Sequence, residues 1–155
     1  MNFDIDEYKT RIDSFYETME RNTDIIDIKL SDEKWTLREM VGHLVDSASF
    51  MHQVIIRFQL DENLNFLAYD AESWKNTTKI GNYDFMHLIN LWKEYNYFQL
   101  YLIDRIDENN LNKIWERNGN IRTLKTQIED CFERHMKLHA DLYNERINEI
   151  RKAVK

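Results

Sequence analysis

The run from Cys131 to Tyr143, CFERHMKLHADLY, carries two histidines four residues apart. On a helix that spacing sets both imidazoles one turn apart on the same side. With His135 at zero and about 100° per residue, Ile128 falls near 20°, His139 near 40° and Phe132 near 60°. On the same scale of about 100° per residue, Leu124 and Leu142 fall near −20°, Cys131 near −40° and Leu138 near −60°. Both histidines are therefore expected inside an apolar stripe, with His135 at its middle. Such a stripe does not hold two polar rings unless something satisfies them. A bound metal ion would do so, since imidazole is a common ligand for zinc and nickel. Among five histidines, a pair at this spacing arises by chance roughly once in eight, so the spacing alone does not make a site. A zinc-type site also wants a third ligand.

Working outward, three more long helices can be read. Phe3 to about Arg21 repeats Ile5, Tyr8, Ile12, Phe15, Tyr16 and Met19 at three- and four-residue steps. Residues 22–31 form a connection whose Ile25, Ile26 and Ile28 pack under the bundle. In Trp35-Thr36-Leu37-Arg38-Glu39, Thr36 followed by Glu39 fits a capping box and starts a helix running to about Leu60. His43 lies on the margin of its core face, and His52 falls opposite, so those two cannot share an ion. Asp61 to Asn82 reads as a connection of about 20 residues without periodicity, long enough to act as a lid. Its Phe66, Tyr69 and Trp74 suit a cover over one end of the bundle. Asn82 or Asp84 caps a third helix to about Ile106, apolar nearly all round. A helix of that kind is central or shared with a partner chain, which points to a homodimer. His87, three residues after Asp84, is read as a surface or capping residue. Asp107 to Arg122 is polar, with a turn at Asn118-Gly119-Asn120, and Thr123 caps the fourth helix, Leu124 to about Ile150. Four amphipathic helices, no strand and a long crossover between the second and third make an all-α four-helix bundle, one domain over 1–155.

Composition narrows the function. The 155 residues are 43% hydrophobic and 32% charged, an ordinary globular profile, with no proline and three glycines to break long helices. A net charge of −7 argues against nucleic acid, which calls for a clustered basic surface. The basic tail Arg146 to Lys155 suits a helix C-terminus. Cys131 is the sole cysteine, so there is no intrachain disulfide; within the core stripe it reads as an inert thiol. No apolar run approaches a membrane span and no signal pattern opens the chain, so a cytoplasmic protein without membrane contact is expected.

In such a bundle, polar sites are built from facing helices. His43 on the second helix meets His135 and His139 on the fourth if those helices are neighbours. Three imidazoles leave a position open, as at a catalytic ion. A di-iron centre needs Glu-x-x-His motifs on two helices, and none occurs. The stretches Trp35 to Glu39, Gly42-His43-Leu44-Val45-Asp46-Ser47, Tyr69-Asp70-Ala71-Glu72-Ser73-Trp74 and His135-Met136-Lys137-Leu138-His139 together resemble the DinB-like superfamily. That superfamily includes bacillithiol-transferase-like proteins and metal-dependent hydrolase-like bundles. The resemblance implies a four-helix bundle, frequently dimeric, with a divalent ion, zinc or nickel, held by His43, His135 and His139.

Either of two reactions follows from such an ion: it lowers the pKa of a water for hydrolysis, or it deprotonates a low-molecular-weight thiol for transfer to an electrophile. The resemblance implies the second for some members. The substrate expected is a small molecule. The alternative is a non-catalytic, metal-stabilised dimeric bundle or a stress-associated binding protein. No residue is assigned as catalytic. Asp46 is placed to orient a histidine ring or bond to backbone, Glu39 belongs to the capping box, and Tyr69 and Glu72 are candidate substrate contacts.

Overall fold

Four helical runs form where the apolar spacing puts them, and the computed structural model describes residues 3–60, 69–117 and 119–155. Helix α1, Ile5–Glu20, starts on Asp4, whose carboxylate accepts the Glu7 N–H at 2.9 Å, and buries Tyr8, Ile12, Phe15 and Met19. Helix α2, Leu37–Leu60, opens with the capping box: the Thr36 N–H donates to Glu39 Oε2 at 2.8 Å and the Glu39 N–H to Thr36 Oγ1 at 3.1 Å. Two orphan donors are satisfied reciprocally, so the first turn is held where the chain enters the site. Helix α3 is Ala71–Thr78, and α4, Phe85–Ile103, is capped by Asp84, which accepts the His87 N–H at 3.0 Å. Helices α5, Leu124–Glu129, and α6, Met136–Ala153, are joined by a π-helical segment, Asp130–His135.

Helix α2 packs along α4, α4 lies on α1, and α2 also meets α5 and α6. One hydrophobic core draws Phe15, Phe58, Trp92, Ile128 and Tyr143 from all of them, with Phe132 from the π segment. Ile25 and Ile26 are buried beneath it, as read from the sequence. The fold is the expected all-α bundle, and no helix of the described residues is long and apolar enough to cross a membrane.

Two stretches read as irregular carry structure. Within 61–82, the helix α3 is capped by Asp70, whose carboxylate accepts the Ser73 N–H at 2.9 Å, and a 3-10 turn follows at Ile80–Asn82. An eight-residue helix is too short to show apolar periodicity, and its cap was its only signal. Phe66 lies outside the described residues. Within 107–122 and just beyond, β1 (Ile114–Arg117) pairs antiparallel with β2 (Asn120–Thr123). Gly119 stands between the strands at φ 77°, where glycine carries no steric penalty. The hairpin sets Trp115 against Phe58, ring centroids 5.7 Å apart.

The π segment overturns part of the helical-wheel reading. A constant rotation per residue puts Leu138 and Leu142 in the core stripe, yet they are 51% and 41% exposed. The residues that are buried after the segment are Met136, Tyr143, Ile147 and Ile150. At about 100° per residue, the buried positions before the segment centre near 20° and those after it near 90°. A wider π turn underwinds the helix by about that difference, which realigns both halves on one core. His135 and His139 consequently sit at the edge of the buried face, half-buried, rather than at its middle.

Candidate metal centre

Three elements bring the site together. His43 comes from the second turn of α2, His135 ends the π segment and His139 lies in the first turn of α6. The approach of α2 to the Ile80 turn is close enough to need glycine: a Cβ on Gly42 would meet Ile80 Cγ2 at 2.5 Å. That contact keeps the Ile80 turn, and α3 ahead of it, against the His43 end of α2. The chain entering α2 is also tied to α6. Arg146 donates to the Trp35 carbonyl and to Glu149 at 2.9 Å, and Lys34 reaches the same carboxylate at 2.8 Å. These bonds fix α6, and so His139, against the start of the helix that carries His43.

His43 Nε2 lies 3.3 Å from His139 Nε2, which lies 3.0 Å from His135 Nε2. All three candidate ligand atoms fall within 4.8 Å of one another. A metal–nitrogen distance of about 2.0–2.1 Å in tetrahedral geometry would put such nitrogens about 3.3 Å apart. The proton inventory agrees. His43 Nδ1 is 2.9 Å from the Tyr69 hydroxyl, and with the ring proton on Nδ1 its Nε2 presents a lone pair to the other two rings. Three nitrogens aimed at one point cannot all be satisfied by the protons they hold, whereas a cation satisfies three lone pairs at once. The donor set therefore fits a divalent ion.

Electrostatics favours the neutral rings that ligation requires. Desolvation, then the charge of His135, pushes His43 down to about 4. Desolvation, then His135 and His43, takes His139 down to about 3. Desolvation lowers His135 as well, with Asp130 pulling the other way. Burial raises the Tyr69 hydroxyl, which stays a phenol beside His43. The Tyr69 ring packs on Phe50 at 5.5 Å and Trp74 at 5.1 Å, an aromatic group placed where a site cover was expected. The Trp35 ring stands 5.8 Å from His43, with Lys75 Nζ 4.6 Å over it.

The other candidates fall elsewhere. His52 packs against Phe98 at 5.3 Å, and His87 is exposed at the α4 cap. Asp46 is buried but accepts from Thr78 Oγ1 at 3.4 Å rather than from His43, and desolvation raises its carboxyl. Glu39 stays in its capping box, paired with Lys29 at 3.2 Å. Exposed Glu72 pairs with Lys75 at 3.0 Å, and the Tyr69 hydroxyl meets His43. Cys131 keeps some exposed surface, but desolvation of its sulfur and the charge of Asp130 push the thiol up to about 12, so it remains protonated. Sequence reasoning missed buried Asn96 and Gln99, although polar residues on the core face of α4 were a visible signal.

An open cleft of about 400 Å³ leads to the histidines, walled by Trp35, Met40, Leu142 and Arg146, with His43 and His139 in its lining. Among the described residues, the group that could hold an ion consists of these three histidines, of which His43 and His139 face the cleft.

No protein-family model matches the chain, and none of the curated proteins matches it in sequence. Among solved structures it is similar to YfiT from Bacillus subtilis, described as a probable metal-dependent hydrolase with an unusual four-helix bundle topology. The two share 16% identity at a TM-score of 0.68, over 96% of this chain and 84% of that one, and at that identity the likeness is one of fold.

Proposed function

We propose that this protein is a divalent-metal-dependent enzyme that activates water or a low-molecular-weight thiol against a small molecule held in the cleft. The observation that carries the proposal is the convergence of His43, His135 and His139 Nε2 atoms at the edge of that cleft. A divalent ion bound there supplies Lewis acidity, lowering the pKa of the nucleophile that takes the open position. The chain's own residues do the rest. The three histidines stay unprotonated because they are desolvated, and the Tyr69 hydroxyl is placed to accept from His43 Nδ1–H, the tautomer that leaves Nε2 for the ion. Trp35, Met40 and Leu142 offer apolar walls, while Arg146 places a charge at the rim. Three nitrogens suit zinc or nickel equally. A homodimer is supported by the α4 face, where Leu91, Phe98 and Tyr101 are 41%, 45% and 52% exposed.

Metal content of untagged protein after loading with zinc or nickel tests the reading. One ion per chain is expected, with none in His135→Ala, together with turnover in a screen of hydrolytic and thiol-transfer substrates. Failure to take up either ion would end the proposal. Tight binding with no exchangeable water on the ion would favour the non-catalytic, metal-stabilised bundle instead.

A further inference from the structure

His43 and His139 line the open cleft, while His135 lines a separate, partly open pocket of about 20 Å³ beside α2, α4 and the π segment. Its walls include Ser47 from α2, Asn96 and Gln99 from α4 and Cys131 from the π segment. A single water needs at least about 10–15 Å³ and two to four polar partners, and the pocket is roomy and polar enough to hold one. Its polar walls are incompletely used. Asn96 and Gln99 are 6% and 1% exposed. Their amide groups donate to the Trp92 and Ala48 carbonyls at 2.8 and 2.7 Å, which leaves both carboxamide oxygens over. Those oxygens and the Ser47 hydroxyl make no hydrogen bond with any described residue. Among the described residues the sealed side-chain polar atom without a partner is the Tyr143 hydroxyl, so the two carboxamide oxygens keep surface that a water-sized probe can reach. His135 spends its Nε2 on the histidine group, so Nδ1 is the ring nitrogen left for this side.

We propose that the pocket binds one ordered water, which accepts from His135 Nδ1–H and the Ser47 hydroxyl and donates to Asn96 Oδ1 and Gln99 Oε1. All four hydrogen-bonding positions of the water are then filled. The proton is held on Nδ1 of His135, and its Nε2 lone pair is kept for the ion. Asn96, Gln99 and Ser47 become positioning residues for the third ligand, doing by way of water what Tyr69 does directly for His43. The effect on ion binding rests on the metal reading above; the water and the tautomer do not.

The test uses ion-free protein and Zn(II). Imidazole nitrogen NMR of the ion-free wild type should show His135 as the Nδ1–H tautomer. Asn96→Leu should shift His135 to a tautomer mixture, leave His43 unchanged, and weaken Zn(II) in a chelator competition by about 10–100-fold. Asn96→Asp keeps an acceptor oxygen but drops the donor to Trp92, and it should hold the tautomer. Equal behaviour of the Leu and Asp variants would show Asn96 acting through Trp92 alone and would overturn the proposal, as would a His135 signal unmoved in Asn96→Leu. If Asn96→Leu does not fold, Ser47→Ala removes one partner from the half-buried side and must shift the tautomer in the same direction. A wild type that binds no Zn(II) would sink the metal reading, while the tautomer measurement would still decide this one.

Discussion

Helix α2 and the α5–α6 run both carry ligand-type histidines into one site, but they do so by different means. Helix α2 is regular over 24 residues, its first turn is locked by a capping box, and His43 faces where a constant rotation per residue puts it. The α5–α6 run changes its winding at Asp130–His135, and only that change allows Phe132 and Tyr143 to share a core. A regular helix delivers a residue by counting; an interrupted one delivers it by the interruption. π turns recur at functional sites because the extra residue they accommodate can be aimed away from the core without moving the rest of the helix.

The sharpest way to break this contrast is to delete one residue from each helix. Deleting Ser49 from α2 would rotate Met51, Val54, Ile55 and Phe58 by about 100° off the core. At about 1.5–3 kcal/mol for each large side chain, that forfeits roughly 6–12 kcal/mol, the whole stability of an ordinary domain. Deleting exposed Glu133 from the π segment would instead convert it to α-helix and leave the buried faces on both sides aligned. Circular dichroism melts should show the first variant unfolded and the second folded within several degrees of wild type. Equal destabilisation of the two would mean that the π segment is not an accommodated residue, and the offset between the two buried faces would need another cause.

The same contrast explains what could be read in advance. His43 was placed correctly relative to its core face because α2 keeps one period from Leu37 to Leu60. The pairing of His135 with His139 was legible too, since residues four apart share a side on either half of the fourth run. Their depth was not: a constant angle carried Leu138 and Leu142 inward, and nothing local in CFERHMKLHADLY announces an underwound turn. What settles it is long-range, the need for Leu124, Ile128 and Phe132 to bury alongside Met136, Tyr143 and Ile147. The Tyr69–His43 bond is likewise out of reach, because the two residues lie 26 apart in sequence and no single helical period links them.

Acid should affect both helices together. His43 and His139 have folded values near 4 and 3, below an ordinary value of about 6.5. Below 6.5 the unfolded chain takes up protons that the folded chain refuses. The stability they contribute is therefore fully present above about pH 6.5 and is lost as pH falls toward 4. For two rings over that window the loss is about 2–4 kcal/mol after discounting for the water that reaches His139. Urea midpoints of ion-free protein between pH 7 and 4 should fall more steeply for wild type than for His139→Ala. Identical slopes would mean that only the α2 histidine is truly desolvated and that the edge placement on α6 leaves His139 open to water.

The smallest expected effect separates orientation from packing. His43 is anchored by a protein hydroxyl at 2.9 Å, and Tyr69 is in turn packed between Phe50 and Trp74. Tyr69→Phe keeps the ring and removes only the oxygen, so the aromatic contacts survive while the His43 tautomer is released. Zn(II) affinity should fall by about tenfold, the low end for losing a partner of a ligand ring. Folding stability should fall by about 1 kcal/mol, the net worth of one hydrogen bond. Calorimetric titration and a denaturant melt on the same preparations measure both. Unchanged affinity with a lower melting point would make Tyr69 a packing residue whose hydroxyl happens to lie near His43. The predicted pattern, with affinity down and the fold nearly intact, requires that a regular helix still needs outside help to aim its histidine. Winding decides which face a ligand presents; a hydrogen bond to the far side of the ring decides which nitrogen carries the lone pair.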